Sequence, residues 1–175
     1  MKIYVIRHGQ TDSNVKNIVG GILEDINEKG IEQAECAREK VKNLDIDLVV
    51  CSPAGRTKHT YKLLKIDEIP IIYDERLIER DVGIFEDENY SNIDSKEFWN
   101  YYSTKYTGLE TMKSVYNRVS ECLNELKEKY YDKNILLVTH GGVSRAIHWY
   151  FYGIPEDGSV TYGKHDNCEI KEYEL

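Results

Sequence analysis

Short apolar runs rich in β-branched residues recur along this chain, and each run ends at polar residues. This composition is typical of strands that are buried on both faces of a sheet. The predicted strands cover residues 3–6, 46–51, 70–73 and 135–138. Segments with apolar residues at helical spacing lie between them. This alternation predicts a three-layer α/β/α sandwich around a mainly parallel sheet.

Local signals mark where the helices and a last strand should lie. Asn27 is a plausible N-cap for the helix that follows it, and Pro53 suits the first turn of a helix over residues 54–64. Thr107 and Glu110 have the spacing of a capping box, which predicts that a long helix begins there. A further helix is expected over 143–152. The weak alternation over 167–173 indicates an edge strand.

The length of 175 residues predicts a single domain over residues 1–175, because a chain of this size buries a proper core. One segment, about 84–110, is polar and aromatic and does not belong to the regular alternation. Its aromatic residues lie near helical spacing, at Phe98, Trp99, Tyr102 and Tyr106. An aromatic stripe is usually packing, but its place between two polar motifs also suits a cap over a pocket.

Charge and cysteine usage narrow the class of partner. The net charge of −8 argues against nucleic acid or an anionic membrane surface as a partner. No apolar run approaches the length of a membrane span. The four cysteines form no CxxC pair, so we expect reduced thiols in a cytoplasmic protein. Nothing in the sequence indicates an oligomeric state.

Three predicted strands, or the turns that follow them, deliver basic side chains. Arg7 and His8 follow the first strand, Arg56 lies just after the second, and His140 follows the strand over 135–138. The carboxyl ends of parallel strands meet at one edge of an open sheet, which is where such sheets bind ligands. We therefore expect these four side chains to form one site.

Two arginines and two histidines in one pocket suit a tetrahedral dianion, since the planar guanidinium binds phosphate oxygens in pairs. A histidine can attack phosphorus because much of it is unprotonated near neutral pH (reference pKa ~6.5). Glu79 is the candidate acid that protonates the departing oxygen. A zinc site is the competing use of histidines, but no HxH, HExxH or Cys/His pair at ligand spacing occurs.

Five ordered motifs give this pattern a family resemblance. They are Arg7-His8-Gly9-Gln10-Thr11 with Asn14, Cys51-Ser52-Pro53 with Arg56 and Thr60, Leu77 and Glu79 with Gly83 and Glu86, Glu110 with Arg118-Val119, and Val138-Thr139-His140-Gly141-Gly142. With them the chain resembles the histidine phosphatase superfamily, the phosphoglycerate mutase-like proteins, over nearly its whole length.

The resemblance implies a phosphomonoester phosphatase that needs neither a metal nor a cofactor and acts on a small molecule. It implies that His8 is the nucleophile and Glu79 the proton donor, with Arg7, Arg56 and His140 around the phosphate. The expected substrate-binding residues are Gln10, Thr11, Asn14 and Gly141.

Two other functions remain open from the sequence. A phosphoglycerate mutase returns the phosphoryl group to a sugar acid, but its typical motif reads RHGxSxWN, and this chain has Thr11 and Ser13 at the Ser and Trp positions. A non-catalytic binder of phosphorylated ligands would keep the arginines and lose His8 or Glu79, and both are present. The sequence does not name the substrate.

Overall fold

A five-stranded sheet forms the centre of the computed structural model, which describes residues 1–160 and 165–174. The strands are β1 (Lys2–Arg7), β2 (Leu48–Cys51), β3 (Ile71–Tyr73), β4 (Ile135–Thr139) and β5 (Ile170–Glu174). Their order across the sheet is β3-β2-β4-β1-β5. Only β5 is antiparallel, and it pairs with β1 at one edge. The predicted mainly parallel sheet and its edge strand are therefore confirmed.

Helices connect the parallel strands and cover both faces of the sheet. They are α1 (Asp12–Lys16), α2 (Glu28–Lys42), α3 (Gly55–Leu64), α4 (Ser95–Phe98), α5 (Met112–Lys129) and α6 (Gly141–Tyr152). Asn27 caps α2 as expected, because its side-chain oxygen accepts the Gly30 N–H at 2.9 Å. The short helix α1 was not predicted, since residues 15–26 show no helical period.

Alternate side chains of each strand point to opposite faces and build two separate cores. Ile3 and Val5 pack on one face with the buried sides of α5 and α6. Tyr4 and Ile6 pack on the other face with α2 and α3. Every residue of β4 is buried, which explains its unbroken apolar sequence. The three-layer arrangement predicted from the sequence is confirmed.

The long helix α5 begins after the predicted capping box, so that expectation was wrong. Its N-cap is Thr111, whose Oγ1 accepts the N–H of the third helical residue at 3.1 Å. Gly108 has φ of +76°, which interrupts any helix from Thr107. The Glu110 carboxylate pairs instead with Nε and Nη2 of Arg118, at 2.8 and 2.9 Å. A tertiary ion pair thus takes the group that a capping box would use.

Residues 83–110 fold into short pieces that gather around one aromatic side chain. These pieces are 3₁₀ turns at Gly83–Phe85 and Tyr90–Asn92, followed by α4. The buried Phe98 ring contacts the rings of Phe85 and Tyr106 edge-on, with centroids 5.6 and 6.0 Å away. Tyr102 is exposed and does not belong to this cluster. That the segment acts as a cap stays a prediction.

Two further findings concern the membrane and the cysteines. Within the described ranges, no helix is both long and apolar enough to span a bilayer. All four cysteines are free thiols. Burial raises the pKa of Cys51 and of Cys122 to about 12, so these two thiols form thiolates poorly at neutral pH.

The buried strand β4 gives a prediction about stability. Leu137→Ala leaves a cavity at a fully buried position, and we expect it to lower the free energy of unfolding by about 2–5 kcal/mol. Leu23→Ala is the matched control, because Leu23 is 95% exposed. Urea denaturation measures both variants. Equal losses of stability would contradict the placement of the core.

Candidate active site

The site begins with the parallel pairing of neighbouring strands, which brings their carboxyl ends together. Arg7 lies opposite Thr139 in the β1–β4 register, and the His8 N–H donates to the Thr139 carbonyl at 3.0 Å. On the other side of β4, the Ser52 N–H donates to the Val138 carbonyl, also at 3.0 Å. The residues after β1, β2 and β4 therefore lie along one edge of the sheet.

A cavity of about 1050 Å³ opens at this edge. Most of the predicted site residues line it, namely Arg7, His8, Thr11, Asn14, Arg56, Glu79 and Gly141. His140 lies behind this surface against His8, with ring centroids 5.3 Å apart. The structure thus brings together residues that lie more than a hundred positions apart in the sequence.

His8 has one ring nitrogen fixed and the other free. Its Nδ1 lies 2.7 Å from the Gly9 carbonyl oxygen, so the N–H of the neutral ring must be on Nδ1. Nε2 then carries a lone pair, and nothing in the described ranges hydrogen-bonds to it. Burial, followed by the proximity of the His140 ring and the charges of Arg56 and Arg7, holds the pKa of His8 well below its usual value. The ring is therefore neutral and nucleophilic near neutral pH.

Arg7 and Arg56 are anchored in the same manner. Nη1 of Arg7 donates to the His165 carbonyl at 2.8 Å, and Nη1 of Arg56 donates to the Gly21 carbonyl at 2.8 Å. Neither guanidinium has a carboxylate within 4 Å among the described residues, and each Nη2 is left without a hydrogen bond there. In a chain of net charge −8, two unpaired arginines in one cavity indicate an anion site.

Glu79 lies on the turn after the 3₁₀ helix Glu75–Leu77, and backbone amides hold its carboxylate. Oε1 accepts the Arg80 N–H at 2.9 Å and the Gly142 N–H at 3.1 Å. Burial acts to raise the pKa of Glu79, but the Arg56 charge and the two amide hydrogen bonds outweigh it. The pKa is therefore lowered, and Glu79 is ionised near neutral pH.

Close packing explains why residue 142, the second after His140, is a glycine. A Cβ atom on Gly142 would lie 2.6 Å from Oε1 of Glu79 and 3.3 Å from Cζ3 of Trp99. The start of α6 can approach the carboxylate this closely only without a side chain.

His140 is fully buried and neutral. Burial, then the charges of Arg56 and Arg7, hold its pKa well below the usual value. Its Nε2 lies 2.7 Å from Oγ of Ser52, whereas its Nδ1 is buried with no partner among the described residues. A buried polar atom without a partner is costly, which makes His140 a candidate for contact with a bound group.

Asn14 is oriented so that its amide nitrogen is available. Its Oδ1 accepts the Thr11 N–H at 3.2 Å and a hydrogen bond from Nδ2 of Asn167 at 3.0 Å. With the oxygen occupied, the Nδ2 donor is left for the cavity. Thr11 lines the cavity, but its Oγ1 caps α1 by accepting the Asn14 N–H at 3.3 Å.

Gln10 lies outside the cavity lining, and its substrate-binding role stays a prediction. Its backbone N–H donates to Oε1 of Gln33 at 2.9 Å, and its side chain lies near Nδ2 of Asn27. The side chain after Gly9 turns toward α2 and away from the sheet edge. Gly141 does line the cavity, as the first residue of α6.

Sequence reasoning missed several residues that line the cavity, among them Arg145 and Asn167. Arg145 lies four residues after Gly141 in α6, so helical spacing from the His140 motif could have indicated it. Asn167 also donates to the His8 carbonyl at 3.0 Å. No local signal points to Asn167, because it reaches the site only through the return of the chain into β5.

The arrangement of the arginines predicts that inorganic phosphate binds in the cavity. Arg56→Met should weaken this binding by at least about 10-fold, because hydrogen bonds to charged groups contribute roughly 1.5–3 kcal/mol. Calorimetric titration measures the affinity. Arg38→Met is the matched control, since Arg38 lies on α2 and donates to the Leu63 carbonyl. Equal weakening in both variants would show a general charge effect and no specific site.

Comparison with known proteins agrees with this geometry. The family model for the histidine phosphatase superfamily (branch 1) matches residues 3–175. A probable phosphatase of Schizosaccharomyces pombe is 31% identical over 170 residues, which are 94% of this chain and 78% of that protein. The adenosylcobalamin/alpha-ribazole phosphatase of Escherichia coli is 26% identical over 177 residues, covering 96% and 87% of the two chains.

The solved structure of Bacillus stearothermophilus YhfR superimposes with a TM-score of 0.88. The alignment covers 99% of this chain and 91% of that one at 22% sequence identity, so it speaks for the fold alone. The family match spans almost the whole chain, and the first relative exceeds 30% identity. This chain belongs to the histidine phosphatase superfamily.

Proposed function

We propose that this protein is a phosphomonoester phosphatase that works through a phosphohistidine on His8. The observation that carries the proposal is the uncommitted Nε2 of a neutral His8, which shares one cavity with two unpaired guanidiniums. A neutral imidazole can attack phosphorus, and the guanidiniums stabilise the charge on the equatorial oxygens. The names of the relatives, which include phosphatases, support the same activity.

In the first step the phosphate group of the substrate binds Arg7 and Arg56, with additional donors from Asn14, His140 and the Gly141 amide. Nε2 of His8 attacks phosphorus while the bond to the ester oxygen breaks on the opposite side. Glu79 in its acid form gives its proton to that departing oxygen. The products are phospho-His8, an alcohol and the Glu79 carboxylate.

The lowered pKa of Glu79 must rise when substrate binds. Arg56 is the charge that lowers this pKa most. A bound phosphate dianion neutralises Arg56 and adds negative charge beside the carboxylate, and both effects favour the acid form. Glu79 therefore takes up its proton together with the substrate.

In the second step water attacks the phosphohistidine. The Glu79 carboxylate accepts a proton from this water, the N–P bond to His8 breaks, and inorganic phosphate leaves. His8 returns to the neutral tautomer that the Gly9 carbonyl fixes, and Glu79 releases the proton taken from water to solvent as phosphate leaves, so each cycle ends in the starting state.

We assign the acceptor as water and not as a sugar acid. A mutase must exclude water while the phosphoenzyme exists. Ser13 and Thr11 occupy positions where the mutase motif has Trp and Ser, and both line the cavity.

We propose residues 84–110 as a cap that covers the alcohol part of the substrate, since Tyr90 and Trp99 of this segment line the cavity too.

The proposal includes independence from metal ions, because guanidiniums supply the positive charge. The described ranges hold no group of three or more His, Cys, Asp and Glu side chains that could bind a metal. Protein treated with EDTA should hydrolyse p-nitrophenyl phosphate at an undiminished rate. Activity that falls with EDTA and returns with Mg²⁺ or Zn²⁺ would contradict this expectation.

Separate roles for His8 and Glu79 predict different defects in rapid-quench single-turnover experiments. His8→Ala should form no phosphoenzyme and turn over no substrate. Glu79→Gln should slow the first step on an alkyl phosphate by roughly 10²- to 10⁴-fold, and much less on p-nitrophenyl phosphate, whose leaving group needs no proton. From the activated ester this variant should accumulate acid-labile phosphohistidine, which is trapped under alkaline conditions.

Glu86→Gln is the matched control, because Glu86 belongs to the same motif but is exposed. It should retain both steps. Equal loss of the first step on both esters in Glu79→Gln would remove Glu79 as the acid. Inclusion of 3-phosphoglycerate among the substrates would expose mutase activity as isomerisation.

A further inference from the structure

Arg145 is a third guanidinium in the cavity, and the phosphate pocket does not account for it. Its Nη1 donates to the Gly141 carbonyl at 3.0 Å, which fixes it one turn into α6. Its Cζ lies 4.2 Å from the centre of the Trp99 ring. Stacking on an indole orients a guanidinium without satisfying its N–H donors.

Arg145 has no anionic partner among the described residues. No carboxylate lies within 4 Å of it, and its Nε is buried without a hydrogen bond. The charge of Glu79 acts to raise the pKa of Arg145, but backbone amides already hold that carboxylate. An unpaired buried cation is costly, so its retention indicates a ligand that completes it.

Two other carboxylates on the cavity wall, those of Glu24 and Glu97, have partners of their own. Glu24 accepts the Ser13 N–H at 2.7 Å, and Glu97 accepts a hydrogen bond from Oγ of Ser103 at 2.7 Å. They are therefore already engaged with the protein and do not compensate Arg145.

Arg145 lies on the side of the phosphate pocket where the alcohol departs. A Cβ atom on Gly141 would lie 3.5 Å from Nη1 of Arg145 and 3.6 Å from Cζ of Arg7, so Arg145 borders the phosphate pocket. The Cβ position of Gly142 is similarly close to both Glu79 and Trp99. Because Glu79 must reach the departing oxygen, the alcohol leaves beside Trp99 and the guanidinium stacked on it.

We infer that Arg145, stacked on Trp99, forms a subsite for a second anionic group carried by the alcohol part of the substrate. The inference rests on the proposed phosphatase function and names the class of substrate. A carboxylate or a second phosphate supplies the same chemistry, which is oxygens that accept hydrogen bonds from the guanidinium N–H groups left without a partner. The substrate is therefore a phosphomonoester with a second negative charge close to the ester oxygen.

Three esters of the same chain length test this inference. Propyl phosphate carries no second charged group. 3-Phosphonooxypropanoate carries a carboxylate at the far end of the chain, and propane-1,3-diyl bisphosphate carries a second phosphate there. The wild type should have a higher kcat/KM for at least one anionic ester. Arg145→Met should lower kcat/KM for that ester by roughly 10- to 100-fold, mainly through KM, and change propyl phosphate by less than about 3-fold.

Two further variants separate recognition from structure. Arg145→Lys keeps the charge but loses the planar fork, so it should recover part of the preference. Arg38→Met removes an arginine outside the cavity and should leave the preference unchanged. Thermal melting of each variant confirms that it is folded. An equal loss on all three esters, or a wild type without preference, would overturn the subsite.

A binding measurement distinguishes this failure from failure of the proposed function. His8→Ala, with and without Arg145→Met, is titrated with the three esters by calorimetry. If the wild type hydrolyses none of them, the proposed function is wrong. If Arg145→Met weakened the binding of the anionic esters alone, the subsite would still be supported. If the three esters bound with equal affinity, the subsite would be refuted.

Discussion

The parallel register of β1, β4 and β2 is the constraint on which the rest of the molecule depends. Main-chain hydrogen bonds from His8 to Thr139 and from Ser52 to Val138 align three strand ends at one edge. Backbone pairing sets this alignment and brings the two histidine rings into contact, and the described residues show no hydrogen bond between the rings. A one-residue slip would turn each of these side chains to the opposite face of the sheet.

Main-chain groups provide most of the hydrogen bonds that hold the charged side chains at this edge. In each of Arg7, Arg56 and Arg145, an Nη1 N–H donates a hydrogen bond to a main-chain carbonyl. The Glu79 carboxylate accepts hydrogen bonds from main-chain amides. These bonds orient the charged groups, and none of the three guanidiniums has a carboxylate within 4 Å among the described residues. Such preorganisation is what phosphoryl transfer asks of a protein, because the charges then need no rearrangement when the transition state forms.

Prediction from sequence succeeded where the signal was local or periodic. Strand runs, the Asn27 cap and the motif residues His8 and Arg56 lie where they were expected. It failed where a tertiary contact competed with a local pattern. Glu110 pairs with Arg118 instead of capping a helix.

By itself, the sequence determined the α/β class, the sheet edge at which basic residues collect, and the superfamily, because apolar periodicity and motif residues are properties of short segments. Only the tertiary structure decided which donors remain free. That Nε2 of His8 is uncommitted, that Asn167 orients Asn14, and that Arg145 stacks on Trp99 each depend on residues distant in the chain. Hydrogen bonds saturate, so the groups available to a ligand are known only when every competing partner has been placed.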